Sequence, residues 1–211
     1  MIVLASASPQ RKTLLGQIGL EPLVIAGDIH ETLDTADLDN SLRELADQKA
    51  KAAVTRIIGE KDLKTAFASI NTFWIIGADT IVLLDQSILG KPGDERSAGD
   101  MIAALSGREH KVLTGVFAAR YTREIEFGFM IQEKLDDVAE TVVEFNNLTP
   151  EEVSWYVSTG EWQGAAGAYR IQGKGECIVS GIHGSFSNVV GLPIELIYGM
   201  LIRLGYSFET G

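Results

Sequence analysis

The pattern of apolar and polar positions along the chain predicts helices interleaved with strands. Apolar residues recur at three- and four-residue spacing in several segments, as expected for helices that bury one face. These predicted helices are Pro9 to Gly19, Ser41 to Ile58, Glu95 to Leu105, Pro150 to Ser158 and Leu192 to Leu204. Short apolar runs and alternating runs predict strands between them. The predicted strands are Met1 to Ala5, Leu23 to Ala26, Phe73 to Leu84, Lys111 to Tyr121, Ile125 to Gln132, Val138 to Phe145 and Cys177 to Ile182.

The order of these elements predicts an α/β fold built on a mixed, twisted sheet with flanking helices. An α/β opening is followed by several adjacent strands in the second half, which favours two lobes around a cleft. The polar, poorly periodic segment from Gly59 to Ser69 is predicted to be a surface insertion. No repeat or linker interrupts the sequence, so residues 1–211 are expected to form a single domain.

Composition narrows the class of protein. The 211 residues are 45% hydrophobic, which is enough for one globular domain or two tightly joined lobes with a core. A net charge of −11 argues against a general nucleic-acid binder or a binder of anionic membranes. The single cysteine, Cys177, excludes an internal disulfide, and no apolar run reaches membrane-spanning length. We therefore expect a cytoplasmic protein.

The N-terminal segment has the features of a phosphate site. Residues 1–20 contain Arg11 and Lys12 but no acid, against the trend of the whole chain. Ser8 and Pro9 offer an N-cap and a proline at the first helical position, directly after the predicted first strand. Helix N-termini bind anions through unpaired N–H groups, and the Ser6 and Ser8 hydroxyls would lie nearby. Arg11 shares a helical face with apolar residues, so it should emerge at the edge of the buried stripe, toward a cleft.

A second candidate is Asp79, a carboxylate that interrupts an otherwise apolar strand. An ionised carboxylate in a low-dielectric site needs a hydrogen bond, a cation or a metal. Either Asp79 belongs to a functional site or it caps a turn at the strand end with Thr80 and Gly77.

Two lysines could accompany Asp79. Lys49 falls on the apolar stripe of the second predicted helix, so it either reaches toward the surface or meets an anion, whereas Lys51 falls on the solvated face. Lys91, in Gly90-Lys91-Pro92, would be aimed along the same edge as Asp79, although a lysine in such a turn is commonly just solvated.

Other chemistries are excluded by spacing. The three histidines lack partners at zinc-ligand spacing, no serine sits in a nucleophile elbow, and neither phosphate-binding glycine motif is present. Lysines, arginines and carboxylates at strand and helix ends remain, a set typical of metal-assisted chemistry on phosphates.

Ordered motifs over almost the whole chain resemble the Maf-like family of nucleoside triphosphate pyrophosphatases. The opening loop resembles that family's Ser-x-Ser-Pro-Arg-Arg motif, and Gly77-Ala78-Asp79-Thr80-Ile81-Val82 matches its Ala-Asp-Thr strand. The further matching motifs, in the family's order, are Gly90-Lys91-Pro92, Leu105 to His110, Thr114-Gly115-Val116, Thr159-Gly160-Glu161, Ala166 to Gly173 and Gly184 to Pro193.

The resemblance implies an inosine triphosphate pyrophosphatase-like fold and hydrolysis between the α and β phosphates of a nucleoside triphosphate. It implies a divalent metal, Mg²⁺ with Mn²⁺ as the alternative, and a homodimer. Asp79 would accept the proton and help Glu31 to hold the metal. Lys49, Lys91 and Arg11 would neutralise the triphosphate, with Ser6, Ser8 and Lys12 in the same binding loop. Within the family, Tyr169, Ile171 and Gln172 resemble the branch that acts on uridine and thymidine triphosphates, in which positions matching Gln10, Thr80 and Gln172 lie close to the base.

The sequence departs from the family pattern near the expected base pocket. Gln10 replaces an arginine, and Trp162-Gln163-Gly164-Ala165 replaces a stretch that ends in Asp-Lys. Arg170 replaces a glycine and could restore the cation lost at Gln10 or Ala165. Two alternatives follow from the residues: a nucleotide-binding regulator that hydrolyses poorly, and a nucleotidyltransferase, which would also need an acceptor-sugar pocket.

Overall fold

The computed structural model describes residues 1–30, 32–124 and 128–208. Within these ranges the α-helices are α1 (Pro9–Gln17), α2 (Leu38–Gly59), α3 (Lys61–Ala66), α4 (Glu95–Leu105), α5 (Pro150–Ser158), α6 (Phe186–Val190) and α7 (Ile194–Arg203). The strands are β1 (Ile2–Leu4), β2 (Leu23–Val24), β3 (Thr72–Leu84), β4 (Ser87–Leu89), β5 (Glu109–Glu124), β6 (Gly128–Phe145) and β7 (Val179–His183). Two 3-10 helices, Ala166–Ala168 and Lys174–Ile178, precede β7.

In the described residues all seven strands belong to one mixed sheet, so the predicted α/β class with a mixed sheet is confirmed. The strand order is β2-β1-β3-β5-β6-β7, and β4 pairs with β3. Strand β1 runs parallel to both β2 and β3, whereas the β3–β4 and β6–β7 pairs are antiparallel.

The chain divides into two compact units, as expected for two lobes. The first unit comprises Met1–Asp79, Gly115–Ala139 and residues from Ile194 onward, and the second comprises Thr80–Thr114 and Glu140–Pro193. Strands β3, β5 and β6 contribute residues to both units. The expectation of a single domain over 1–211 stays a prediction.

Helix α2 lies unusually close to the sheet in the first unit. A Cβ atom added at Gly77 of β3 would lie 2.1 Å from the Ala46 carbonyl oxygen, and one at Gly115 of β5 would lie 2.3 Å from that of Leu42. These two glycines therefore let the backbone of α2 approach the two central strands. Its alanine-rich face, Ala46, Ala50 and Ala53, packs there against Val3, Ile75 and Phe117.

The second unit has its own core around α4 and α5. Ile102 and Leu105 of α4 and Tyr156 of α5 are buried against the ends of the central strands. His110, Phe145 and Tyr169 add an aromatic cluster with edge-to-face geometry and centroid separations of 5.0–5.4 Å.

Three local predictions need correction. The segment from Gly59 to Ser69 is not a bare insertion, because it forms α3 and buries Phe67, which is 1% exposed, in the first core. The two strands predicted at Ile125 to Gln132 and Val138 to Phe145 form one strand, β6, whose middle is largely exposed; residues 125–127 lie outside the described residues. The short elements β4 and α6 were not predicted at all.

Candidate active site

The loop between β1 and α1 is anchored on the sheet and holds a buried arginine. The Ala5 amide donates to the Ile76 carbonyl at 2.8 Å, which continues the β1–β3 pairing beyond the end of β1. Ser6 is 7% exposed and accepts a 2.9 Å hydrogen bond from Arg11 Nη1, while Arg11 itself is 9% exposed. Arg11 lies beside the buried Leu14 and Leu15 on α1. The prediction that Arg11 shares the buried face of α1 is therefore confirmed, and its position toward a cleft stays a prediction.

Ser8 and Gln10 contact each other at the start of α1. Ser8 occupies the N-cap position and Pro9 the first helical position, as predicted. The Ser8 hydroxyl makes no capping bond to the α1 backbone and instead donates to Gln10 Oε1 at 3.2 Å. Pro9 has no N–H to donate and Ser8 makes no side-chain cap, so the start of α1 lacks the usual N-cap contact. Lys12 is exposed on α1.

Asp79 lies inside β3 and forms an ion pair with Lys49 of α2. Because β3 continues to Leu84, the alternative that Asp79 caps a turn is wrong. Lys49 Nζ donates to Asp79 Oδ1, and each side chain is 13% exposed. Lys49 thus meets an anion from the buried face of its helix, as one branch of the prediction required. Lys51 is exposed and pairs with Asp47 at 2.7 Å, consistent with the solvated face predicted for it.

Strand register places the Ser6–Arg11 pair and Asp79 beyond the same end of β1. Leu4 of β1 pairs with Ile76 of β3 in parallel register. Ser6 is two residues beyond Leu4, and Asp79 is three residues beyond Ile76. Neighbouring parallel strands run in the same direction, so both residues lie past the same end of β1.

This arrangement combines a mostly buried carboxylate with two mostly buried cations. Asp79 Oδ1 is occupied by Lys49, whereas the described residues offer no partner for Asp79 Oδ2. Charged groups held at low exposure interact more strongly than they would in bulk water. The first unit can therefore hold an anion at the Arg11 loop while Asp79 retains one carboxylate oxygen for a water molecule or a cation.

Within residues 1–30, 32–124 and 128–208, no group of three or more acidic, histidine or cysteine side chains lies close enough together to hold a metal ion. Glu31, the other predicted metal ligand, lies outside the described residues.

The remaining predicted site residues belong to the second unit. The Thr80 hydroxyl lies 2.9 Å from that of Thr114, which is fully buried, and 3.3 Å from the Gly191 carbonyl oxygen. Lys91 is exposed directly after β4, and Gln172 is exposed in the turn before the second 3-10 helix.

The predicted cation replacement at Arg170 has a different geometry. Its Nε donates to the Glu161 carbonyl at 3.0 Å and its Nη2 donates to the Gln163 carbonyl at 2.7 Å. The guanidinium is therefore bound to the neighbouring backbone. Ala165 is 8% exposed and packs as an apolar residue.

Sequence reasoning missed two residues that shape this part of the chain. Thr114 belongs to a motif that carries no charge, yet its hydroxyl contacts that of Thr80. Glu161 belongs to another motif, and its carboxylate accepts from the backbone amides of Lys174 and Gly175. A motif that contains a charged residue beside a glycine was the only signal available for Glu161.

Comparison with known proteins gives a consistent result over the full length. The family model described as "Maf-like protein" matches residues 1–204. The chain is 40% identical to a dTTP/UTP pyrophosphatase of Symbiobacterium thermophilum, covering 100% of this chain and 97% of that protein. It is 39% identical to a dTTP/UTP pyrophosphatase of Clostridium acetobutylicum and 40% identical to one of Myxococcus xanthus, each covering 97% of this chain and 98% and 93% of the respective relative.

Proposed function

Because this chain belongs to the Maf-like family, we propose that it is a nucleoside triphosphate pyrophosphatase. Water adds to the α phosphorus, the bond from that phosphorus to the α–β bridging oxygen breaks, and the products are a nucleoside monophosphate and pyrophosphate. The observation that carries the proposal is the Lys49–Asp79 ion pair, which lies beyond the same end of β1 as the buried Arg11.

Asp79 is the proton acceptor in this reaction. Its second oxygen, Oδ2, would take a proton from the attacking water, while Lys49 fixes the carboxylate through Oδ1. Arg11 and Lys49 would balance the negative charge of the triphosphate, and Lys91 is assigned the same role. Such transfers depend mainly on positioning and on charge stabilisation, which these side chains supply.

The donor set fits a magnesium ion that is bound jointly by the protein and its substrate. Mg²⁺ commonly retains several waters and uses one or two carboxylates together with substrate phosphates. Asp79 Oδ1, which keeps a lone pair beside the one that accepts from Lys49, would be one protein ligand, and Glu31 is proposed as the second. When bound, the ion supplies positive charge to the phosphate oxygens. The same oxygen-rich donor set accepts Mn²⁺.

The proposed substrates are uridine and thymidine triphosphates. Three relatives at about 40% identity are named dTTP/UTP pyrophosphatases, which supports this choice. Gln10, Thr80 and Gln172 are the residues proposed to lie near the base. Removal of unwanted nucleotides from the cytoplasmic pool is the proposed role, and a homodimer is the proposed assembly. None of the helices within the described ranges has the length and apolar character needed to span a bilayer.

The central test replaces the proposed base with its neutral isostere. Asp79→Asn keeps an oxygen that can accept from Lys49 but removes the carboxylate, so turnover should fall by roughly two to four orders of magnitude while triphosphate binding is largely retained. Asp62→Asn on α3 is the matched control, because Asp62 is exposed. Pyrophosphate release is measured with Mg²⁺ across nucleoside triphosphates. Unchanged turnover in Asp79→Asn would remove Asp79 as the base, and binding without hydrolysis by the wild type would favour the nucleotide-binding regulator.

A further inference from the structure

Gln172 lies in a tight turn that its neighbours hold in place. The Gly173 amide donates to the Arg170 carbonyl at 3.2 Å and closes the turn. Ile171 is 2% exposed and anchors the turn in the second core, while Gln172 is exposed beside it. The backbone of the turn therefore sets the position from which the side chain of Gln172, with its terminal amide, extends.

The carboxylate of Glu161 binds the chain directly after this turn. Its Oε1 accepts from the Lys174 amide at 3.0 Å, and its Oε2 accepts from the Gly175 amide at 3.3 Å. A Cβ atom at Gly173 would lie 2.6–2.7 Å from these two oxygens, so the carboxylate is seated against the backbone of Gly173. Successive backbone amides around an anion form a specific binding concavity. Here the anion is a side chain of the protein itself.

Arg170 completes the attachment from the other side. Its guanidinium binds the carbonyls of Glu161 and Gln163, and its backbone amide donates to the Tyr156 hydroxyl at 3.0 Å. Glu161 is thus engaged twice, through its carbonyl before the turn and through its carboxylate after it. We call these contacts of Glu161 and Arg170 the Glu161–Arg170 clasp.

We propose that Glu161 is a positioning residue for nucleobase selection, acting through Gln172. This inference rests on the proposed function, in which Gln172 lies near the base. A glutamine amide has a donor and an acceptor side by side, and a flip exchanges them. Uracil presents N3–H and O4, whereas cytosine presents N3 and an amino group, which is the reverse pattern. Discrimination between uracil and cytosine therefore depends on the contacts that fix the turn, because the turn fixes the orientation of the Gln172 side-chain amide.

The test compares the ratio of kcat/KM for UTP to that for CTP in wild type and in Glu161→Gln. The variant loses the charge that two backbone amides share, so we expect the ratio to fall about 3- to 10-fold. The matched control is Glu176→Gln, an exposed carboxylate of the 3-10 helix after the turn with no side-chain partner among the described residues. Its ratio should equal that of the wild type.

A second background separates positioning from loss of stability. In Gln172→Ala, which has no amide left to orient, adding Glu161→Gln should change the ratio no further, because the two residues act in series. A purely structural role would lower activity on UTP and CTP alike and leave the ratio constant. Where Glu161→Gln does not fold, Arg170→Lys serves instead, since one ammonium cannot occupy both carbonyls in the same fork geometry.

The outcomes distinguish this inference from the proposed function. The wild type could release pyrophosphate and show a UTP-to-CTP ratio that changes in Gln172→Ala but not in Glu161→Gln or Arg170→Lys. That result would overturn the positioning role of the Glu161–Arg170 clasp and leave the proposed function standing. An equal shift from Glu161→Gln with and without Gln172 would overturn it as well. Absence of pyrophosphate from every nucleotide with the wild type would instead refute the enzymatic function.

Discussion

His110 should make the second unit less stable as the pH falls, because its imidazole is buried in neutral form. The side chain is 2% exposed, and its ring packs against Phe145 and Tyr169. Its Nε2 lies 2.8 Å from the Tyr169 hydroxyl, and its Nδ1 has no hydrogen-bond partner among the described residues. Burial lowers the pKa of His110 from 6.5 to about 4.

The sign and size of the effect follow from this difference in pKa. Below pH 6.5 the unfolded chain takes up a proton at this position, whereas the folded protein resists it until about pH 4. The unfolded state therefore binds more protons in that interval, and stability is lost as the pH falls. Between about pH 7.5 and about pH 5 the loss attributable to this one group is ~2 kcal/mol.

Two variants isolate the titration from the hydrogen bond. His110→Phe keeps an aromatic ring but removes the titrating group, whereas Tyr169→Phe removes the same hydrogen bond and keeps the imidazole. Each substitution should lower the free energy of unfolding by about 1–3 kcal/mol at neutral pH, because a buried polar group loses its hydrogen-bond partner. Only His110→Phe should also flatten the pH dependence by ~2 kcal/mol relative to wild type.

The assay is urea unfolding followed by tryptophan fluorescence at several pH values. Trp162 is buried in the same core as His110, and Trp74 and Trp155 add to the signal, so the assay follows unfolding of the whole chain. Equal pH dependence in wild type and His110→Phe would refute the reasoning, since the imidazole would then titrate alike in the folded and unfolded states. Flattening in Tyr169→Phe as well would mean that the hydrogen bond, and not burial, sets the pKa.

Two further predictions concern the first unit. Gly77→Ala places a methyl group 2.1 Å from the Ala46 carbonyl oxygen, so α2 must move and the free energy of unfolding in urea should fall by about 1–3 kcal/mol. The control is Gly16→Ala on α1, where nothing lies within 4 Å, and this variant should be neutral or stabilising. Equal behaviour of the two variants would contradict the close approach. Arg11→Lys keeps the positive charge but loses the guanidinium group that reaches Ser6, so KM for the triphosphate should rise about 3- to 10-fold with a smaller change in kcat. An unchanged KM would show that a positive charge alone is enough for triphosphate binding.

Sequence reasoning located the helices best where local chemistry marks the N-terminus. The bounds of α4 and α5 were predicted correctly, and both helices begin with a capping box, Asp94 with Ser97 and Thr149 with Glu152. Strand β6 was divided because its exposed middle breaks the apolar alternation. Pairing with β5 holds that stretch in the sheet, and no local pattern reports such a neighbour.

The site was predictable as single residues and less so as pairs. Asp79 and Lys49 each stood out as a charge in an apolar stripe, but their contact spans 30 positions of sequence and depends on where α2 lands on the sheet. Glu161 gave no comparable signal, because its partners are backbone amides, which every residue type other than proline carries. Residues that act by holding the main chain are therefore the ones that reading a sequence overlooks.

The glycines beneath α2 have a consequence for how mutational data on this protein should be interpreted. Gly77 and Gly115 offer no functional group, yet the depth at which Lys49 reaches Asp79 depends on their having none. A saturation scan scored by enzyme activity would rank both positions with Asp79 itself. Scoring protein abundance in the same library would separate them, because a neutral substitution of the base leaves a folded, inactive protein, whereas a bulkier residue under α2 depletes the folded protein.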